Sequence, residues 1–326
     1  MKTSLLKASK AIQQANKIAI ACHVNPDGDT LGSALALCHA FRAMGKQAVP
    51  LVAHGVPEIY RWMPGQEWVR TETADQDFDL AIMCDTSSLD RIGSIASTIE
   101  HTPVTMTIDH HACEGTFGQY RVVNSKAAAT GELVYALLRE LGATFSKELA
   151  ECLLCAIITD TGSYRFMNVT PNTFRISGAL MRCGARPAAI SELVFESRSY
   201  ASIKLLGRAL DSLKVSDDSK IAWAHVTAAE FAELNARDEE TEGIVNHVRA
   251  VRGVQVGVLF REVPGKKIRI SLRARDGADV NLIAQKFGGG GHRLAAGCSI
   301  ELPLADAEIA VIEAVRQSLD GYDKTH

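Results

Sequence analysis

Aromatic residues make up only 6% of this 326-residue chain, and neither sign of charge dominates: 35 lysines and arginines meet 38 acidic residues, a formal charge of −3. Few aromatics exclude a long channel in which base after base stacks on a ring. The near-balance of charge excludes the field that holds long nucleic acid, so any basic surface is local. No apolar run approaches the roughly 20 residues that span a bilayer. The opening MKTSLLKASKAIQQANKIAIAC carries Lys, Gln and Asn through its apolar stretches and has no core of signal-peptide length. A cytoplasmic protein without a membrane partner is expected. Internal repeats, low-complexity tracts and heptads are also missing. With 47% apolar residues, the chain is long enough to bury two cores.

The eight cysteines sit mostly inside apolar runs, as Cys22, Cys38, Cys84 and Cys155 do, the pattern of small buried hydrophobes in a reducing compartment. Cys152 and Cys155 form a CxxC, but the helical run KELAECLLCAII surrounds them and no second pair lies nearby, which favours packing over zinc or redox chemistry.

The first half alternates short apolar runs with longer amphipathic ones, the signature of a mostly parallel sheet flanked by helices. KIAIAC (17–22), QAVPLV, FDLAIMC and VTMTI are expected as strands. TLGSALALCHAFRAMG (30–45), TGELVYALLRELG and SKELAECLLCAIITD are expected as helices. The stretch ISELVFESRSYASIKLLGRALDSL is expected as a helical link. The domain division is therefore 1–195, a linker at 196–214, and a smaller α/β domain at 215–326. There KIAWAHV, VQVGVLF and KKIRISL are expected as strands, with a turn at Val263–Gly265 and a short helix capped by Asp279 and stopped by Gly288.

Acidic residues and histidines fall at the ends of these strands. His23, Asp27 and Asp29 follow the first, Asp85 ends FDLAIMCD, and Asp109, His110 and His111 end VTMTIDHH. In an open parallel sheet the carboxyl ends of the strands form the ligand crevice, so the clusters converge there, with Asp160 as a fourth wall. A lone carboxylate at a strand end is usually a cap or a turn former. Several together repel one another unless a cation is bound. Carboxylates mixed with imidazoles suit Mn²⁺, with Mg²⁺, Co²⁺ or iron as alternatives, and the lack of thiolates argues against structural zinc. Two cations roughly 3.5–4 Å apart clamp the attacking and leaving oxygens of an in-line displacement, the machinery of a phosphoesterase.

Between Arg249 and Arg275 lie eight basic residues (Arg249, Arg252, Arg261, Lys266, Lys267, Arg269, Arg273, Arg275) against the single acid Glu262. The strand period of two puts Lys267, Arg269, Ser271 and Arg273 on one face. A solvated sheet face is the plain reading. The run Gly288–Gly291 followed by His292 lacks the Lys-Ser/Thr of a phosphate-binding NTPase loop, but its bare backbone suits an anion nest and close nucleotide approach. Arg269, Arg273, Gly289, Gly290, Gly291 and His292 are thus candidate contacts to a small phosphorylated substrate. Arg165 is a further candidate for a phosphate or for a surface ion pair.

HVNPDGD, the isolated Asp85, IDHHA and the Asp160 of TDTG resemble, in order and spacing, the four signature motifs of the DHH phosphoesterase family. FGGGGHRLAAG resembles the glycine-histidine motif of its associated substrate domain, so the likeness covers nearly the whole chain. The resemblance implies a hydrolase with its active site in a cleft between two domains. It assigns His23 and Asp27 to one Mn²⁺, Asp29, His110 and Asp160 to another, and Asp85 to both. Asp109 then orients the histidine pair, and His111 stabilises or protonates the scissile phosphate. Within the family the likeness is to the oligoribonucleases that degrade RNA of two to five nucleotides and dephosphorylate 3′-phosphoadenosine 5′-phosphate (pAp). Alternatives within the same chemistry are cyclic-dinucleotide or pGpG hydrolysis, pyrophosphatase and longer-strand exonuclease activity. A non-catalytic nucleotide-binding module is the alternative of another class, and a homodimer is left open.

Overall fold

The computed structural model describes residues 2–75, 77–111, 117–265, 267–275 and 278–323. Lys266 and the His292 side chain lie outside the described part. The chain divides into two compact units, Met1–Ser197 and Arg198–His326.

In the first unit, five parallel strands form one sheet: β1 (Lys17–Ala21), β2 (Gln47–Leu51), β3 (Leu80–Cys84), β4 (Thr105–Asp109) and β5 (Tyr120–Val123), in the order β2-β1-β3-β4-β5. Strands β1 to β4 are buried on both faces, so their sequences are mainly apolar and lack the alternation of a half-exposed strand. Helices α1 (Lys2–Gln14), α2 (Gly28–Ala43), the short α3 (Ala96–Glu100), α4 (Thr130–Glu140), α5 (Lys147–Asp160), α6 (Pro171–Arg182) and the short α7 (Pro187–Ser191) complete the unit. The α/β class expected from the alternation is the one observed. Strand β5 was not anticipated.

Two helices are buried nearly all round, and both have capping carboxylate or hydroxyl oxygens at their starts. Asp27 accepts from the N–H groups of Asp29 and Thr30, and Ser146 from that of Leu149. Glycine lets them meet at backbone distance. A Cβ added at Gly32 of α2 would lie 2.4 Å from the Cys152 carbonyl oxygen of α5, and one at Gly28 would lie 2.4 Å from the Thr159 side chain. The contact brings the start of α2, with Asp27 and Asp29, against the end of α5, with Asp160. Gly32→Val is therefore expected to destabilise the first unit by about 1–3 kcal/mol through overpacking. An unchanged thermal midpoint in calorimetry would refute the claim that this contact is tight.

In the second unit, β6 (Lys214–Val215), β7 (Ile221–Val226), β8 (Val256–Arg261), β9 (Ile268–Ala274), β10 (Gly290–His292) and β11 (Ala295–Ile300) form a mixed sheet in the order β10-β11-β9-β8-β7-β6, with β7 and β8 parallel. Helices α8 (Tyr200–Asp211), α9 (Ala228–Glu233), α10 (Ile244–Arg249), α11 (Val280–Gln285) and α12 (Leu304–Asp323) accompany it. The stretch expected as one helical link is broken: a π-helical turn covers Glu192–Glu196, and Ser199 caps α8 by accepting from the Ser202 N–H. Helix α8 packs on β7 within the second unit, burying Leu205 and Ala209 in its core. Asp279 caps α11 and Gly288 follows it at φ +71°, as its sequence requires. Among the described residues no helix is long and apolar enough to cross a membrane.

Candidate metal centre

Strands β1, β3 and β4 release their chains at one edge of the sheet, and there the histidines and aspartates meet. Three groups have ligand atoms all within 4.8 Å of one another: His23, Asp27 and Asp85; Asp29, His110 and Asp160; Asp85, His110 and His111. Asp85 is shared. Its Oδ2 is 3.5 Å from His23 Nε2, and its Oδ1 is 3.6 Å from His110 Nε2 and 3.5 Å from His111 Nδ1. Its backbone has φ +61°, a left-handed conformation that a short polar residue sustains at a cost its surroundings must offset.

Hydrogen bonds from the surrounding chain hold several of these donors in place. Asp29 accepts from the Thr130 N–H at 2.7 Å and the Gly131 N–H at 2.9 Å, at the start of α4. Thr130 also donates its hydroxyl to Asp85 Oδ1 at 2.8 Å. His110 donates from Nδ1 to the Ala127 carbonyl at 3.2 Å, which leaves Nε2 as the lone-pair nitrogen facing Asp29, Asp85 and Asp160. His111 differs. Its Nδ1 donates to Asp109 Oδ1 at 2.7 Å, and the same oxygen accepts its backbone N–H at 2.9 Å.

The electrostatics call for positive charge. Burial and the charges of Asp85, Asp160 and Asp27 hold the Asp29 carboxyl well above its usual range. Burial, opposed by His110 and His111 and aided by the charges of Asp85 and Asp27, raises Asp160 to about 7. Asp85 alone is lowered: burial pushes it up, but the three imidazoles around it prevail. For His111, burial opposes the charged form, yet the Asp109 hydrogen bond and the Asp85 charge raise its pKa. Asp29 and Asp85, at 1–2% exposure, are held by Thr130 and Gly131 and face imidazole nitrogens across 3.5–3.8 Å, a donor set that fits hard divalent cations, and no cysteine joins the cluster among the described residues.

Cys152 and Cys155 are buried, unpaired side chains of α5, in keeping with a packing role. Arg165 donates to the Gly162 carbonyl and lies over the Phe195 ring. Arg91 escaped the sequence reading. It ends a 3-10 turn, Leu89–Arg91, whose last carbonyl accepts the Val24 N–H at 2.7 Å, and its charge is felt by His111. The SSLDRIG segment just after Asp85 was the available signal.

In the second unit the basic strand is more neutralised than its sequence suggests. Asp238, far from it in sequence, accepts from Arg261 at 2.8 Å and also pairs with Arg269. Lys267 pairs with Glu301 at 2.9 Å. Arg249 and Arg275 donate to the carbonyls of Ala274 and Val254. Arg273 donates to the Leu272 carbonyl and has no carboxylate within ion-pair distance among the described residues, while burial holds its guanidinium below its ordinary range. The glycine run is partly strand: Gly290–His292 pairs with Ala295–Gly297. Cβ atoms at Gly289 and Gly291 would lie 2.2 and 2.6 Å from the carbonyl oxygens of Gly297 and Ala295, whereas one at Gly290 would make an ordinary contact with Asn281 Oδ1 at 3.8 Å.

Residues 17–157 match the DHH family N-terminal domain and residues 218–320 match the DHHA1 domain. The bifunctional oligoribonuclease and PAP phosphatase NrnA of Thermus thermophilus is 34% identical over 93% of this chain and 90% of its own. The protein of that description from Bacillus subtilis is 27% identical over 92% of this chain and 93% of its own. The crystal structure of an exopolyphosphatase-related protein from Bacteroides fragilis superposes with a TM-score of 0.92 at 27% identity, covering 100% of this chain and 98% of that one. With its strand-end aspartates and histidines in one cluster and both domains matched in order, this chain belongs to the DHH family of phosphoesterases.

Proposed function

We propose that the protein is a two-metal hydrolase, preferring Mn²⁺, that degrades very short oligoribonucleotides to mononucleotides and removes a phosphate from pAp. One observation carries the reading: Asp85 stands at the junction of two donor groups, His23–Asp27 on one side and Asp29–His110–Asp160 on the other. Bound there, two divalent cations supply Lewis-acid polarisation of a phosphoryl group and lower the pKa of water. The chain's own residues do the rest. Asp29 and Asp85, held by Thr130 and Gly131, arrive with their oxygens already ordered, so little reorganisation accompanies catalysis. Asp109 fixes the His111 ring and favours its charged form, which suits it to neutralise or protonate a leaving oxygen. The short RNA and pAp preference is supported by the relatives' activities and by a basic surface too small and too paired for a long strand.

Arg273 is the arginine of that surface placed to meet a substrate phosphate, since Arg269 would first have to leave Asp238. Arg273→Ala is expected to raise KM on an RNA dinucleotide about tenfold with little change in kcat, the loss of one charge-assisted hydrogen bond. Arg269→Ala is expected to change it less. Equal effects from the two variants would sink this distinction.

The test of the function is direct. Purified protein with Mn²⁺ is expected to release mononucleotides from a 5′-labelled RNA dinucleotide and AMP from pAp, with pGpG and cyclic dinucleotides as competitors to rank. Failure to hydrolyse either substrate would overturn the reading. Tight nucleotide binding without turnover would favour a binding module instead.

A further inference from the structure

The segment that follows Asp160 is bent as few sequences allow. Gly162, Ser163 and Tyr164 have φ of +54°, +58° and +63°, three left-handed residues in succession of which only the first is glycine. Side chains hold the bend. Thr161 Oγ1 accepts the Tyr164 N–H at 3.1 Å, and the Tyr164 ring stacks on Phe174 while its hydroxyl donates to Ser177 Oγ at 2.9 Å. The reversal carries the chain back to the end of α5 and delivers Asn168 to Asp160.

The Asn168 side-chain N–H₂ faces three acceptors: the Ala128 carbonyl at 2.9 Å, the Asp160 carbonyl at 3.0 Å and Asp160 Oδ2 at 3.4 Å. Its own oxygen is buried without a partner among the described residues. Flipping the amide would set that oxygen against the three others, so the surroundings fix its orientation. Ala128 lies in the loop that leads into α4 and, with its first residue, orients three other donors: Ala127 accepts from His110, and Thr130 donates to Asp29 and Asp85. Asp160 Oδ2 is also the oxygen that faces His110 Nε2 at 3.5 Å. Asp160 is the last residue of α5, where helices fray, and Asn168 ties it to that loop.

We propose that Asn168 is the positioning residue that aims the Asp160 carboxylate into the Asp29–His110–Asp160 group and so sets the cation affinity of that half of the centre. The proposal rests on the two-metal reading above.

Asn168→Leu keeps the size and removes the donors. Asn172→Leu, a control in the same segment, removes a hydrogen bond to Glu132 and touches no part of the centre. Mn²⁺ binding is measured by titration calorimetry and electron paramagnetic resonance on the full chain, with metal-free thermal midpoints in parallel. Asn168→Leu is expected to weaken one of two Mn²⁺ sites about 10- to 100-fold, leaving the other near its wild-type value, while Asn172→Leu stays within about twofold at both. Unchanged affinity in Asn168→Leu, or an equal loss in Asn172→Leu, overturns the proposal. Should the leucine variant not fold, Asn168→Ala gives the same reading. Failure of both to fold beside a folded Asn172→Leu would assign Asn168 to structure and overturn it too. Wild-type protein that binds no Mn²⁺ would overturn the metal reading and this proposal together, an outcome distinct from a variant whose affinity is merely unchanged.

Discussion

Asp85→Asn is expected to lower kcat/KM on an RNA dinucleotide by about 10³-fold or more, a loss of about 4 kcal/mol in transition-state stabilisation, and to remove bound metal in the same preparation. The size follows from the position. Among the described residues Asp85 is the one carboxylate within 3.5–3.6 Å of all three imidazoles, and it belongs to donor groups on both sides of the centre. On the two-cation reading proposed above, its removal weakens both sites, whereas a change at Asp27 touches one. Asparagine is the informative replacement. It keeps the shape, tolerates the left-handed backbone at φ +61°, and can still accept the Thr130 hydroxyl, so the fold is retained and only the charge is lost. Steady-state kinetics and metal content on a variant with an unchanged circular dichroism spectrum check it. Retention of more than about a tenth of the wild-type activity would remove Asp85 from the centre.

The parts of this centre that could be read from the chain are those that parallel-sheet physics prints locally. KIAIAC, FDLAIMC and VTMTI are mainly apolar, without strand alternation, because both faces of the sheet are covered, and the residue after each is where ligands must gather, so His23, Asp85 and Asp109 to His111 stood out. Four features were hidden by distant pairings, unusual backbone or a misleading composition. Asp238 neutralises Arg261 and Arg269 from a turn more than twenty residues away, so a charge count over 249–275 overstated the free basic surface. Gly289 and Gly291 suggested a nest for anions, yet their missing side chains are also demanded by the approach of β11. Asn168 carried no signal, because its place beside Asp160 depends on three left-handed residues whose identities, Gly-Ser-Tyr, do not announce that conformation. The break before α8 was likewise masked by a helical-looking composition, although Ser199 was there to cap a new start.

Metal removal is expected to make stability fall as pH rises, and added Mn²⁺ to reverse that trend. In the metal-free protein the Asp160 carboxyl titrates at about 7 and that of Asp29 is also well above the unfolded value near 4. A folded pKa above the unfolded one means that the native state holds the extra protons between the two. The stability these groups contribute is thus complete below about pH 4 and is lost as pH rises through their folded values, for Asp160 through about 7. For Asp160 alone the difference corresponds to at most about 4 kcal/mol, reduced by its partial access to water. His111, also raised, acts in the same direction above pH 6.5, and Asp85, lowered, opposes them only under acid. The midpoint of the first unit in metal-free protein should therefore drop by several degrees between pH 5.5 and pH 8. A cation competes with protons for those same oxygens, so its stabilisation, about 4 kcal/mol at a thousandfold excess over its Kd, must be larger at pH 8 than at pH 5.5. Scanning fluorimetry with and without Mn²⁺ at the two pH values reads both effects. A metal-free midpoint that is flat or rising with pH, together with an Mn²⁺ increment no greater at pH 8, would show that the crowded carboxylates at the strand ends do not carry the charge repulsion from which a bound cation was inferred.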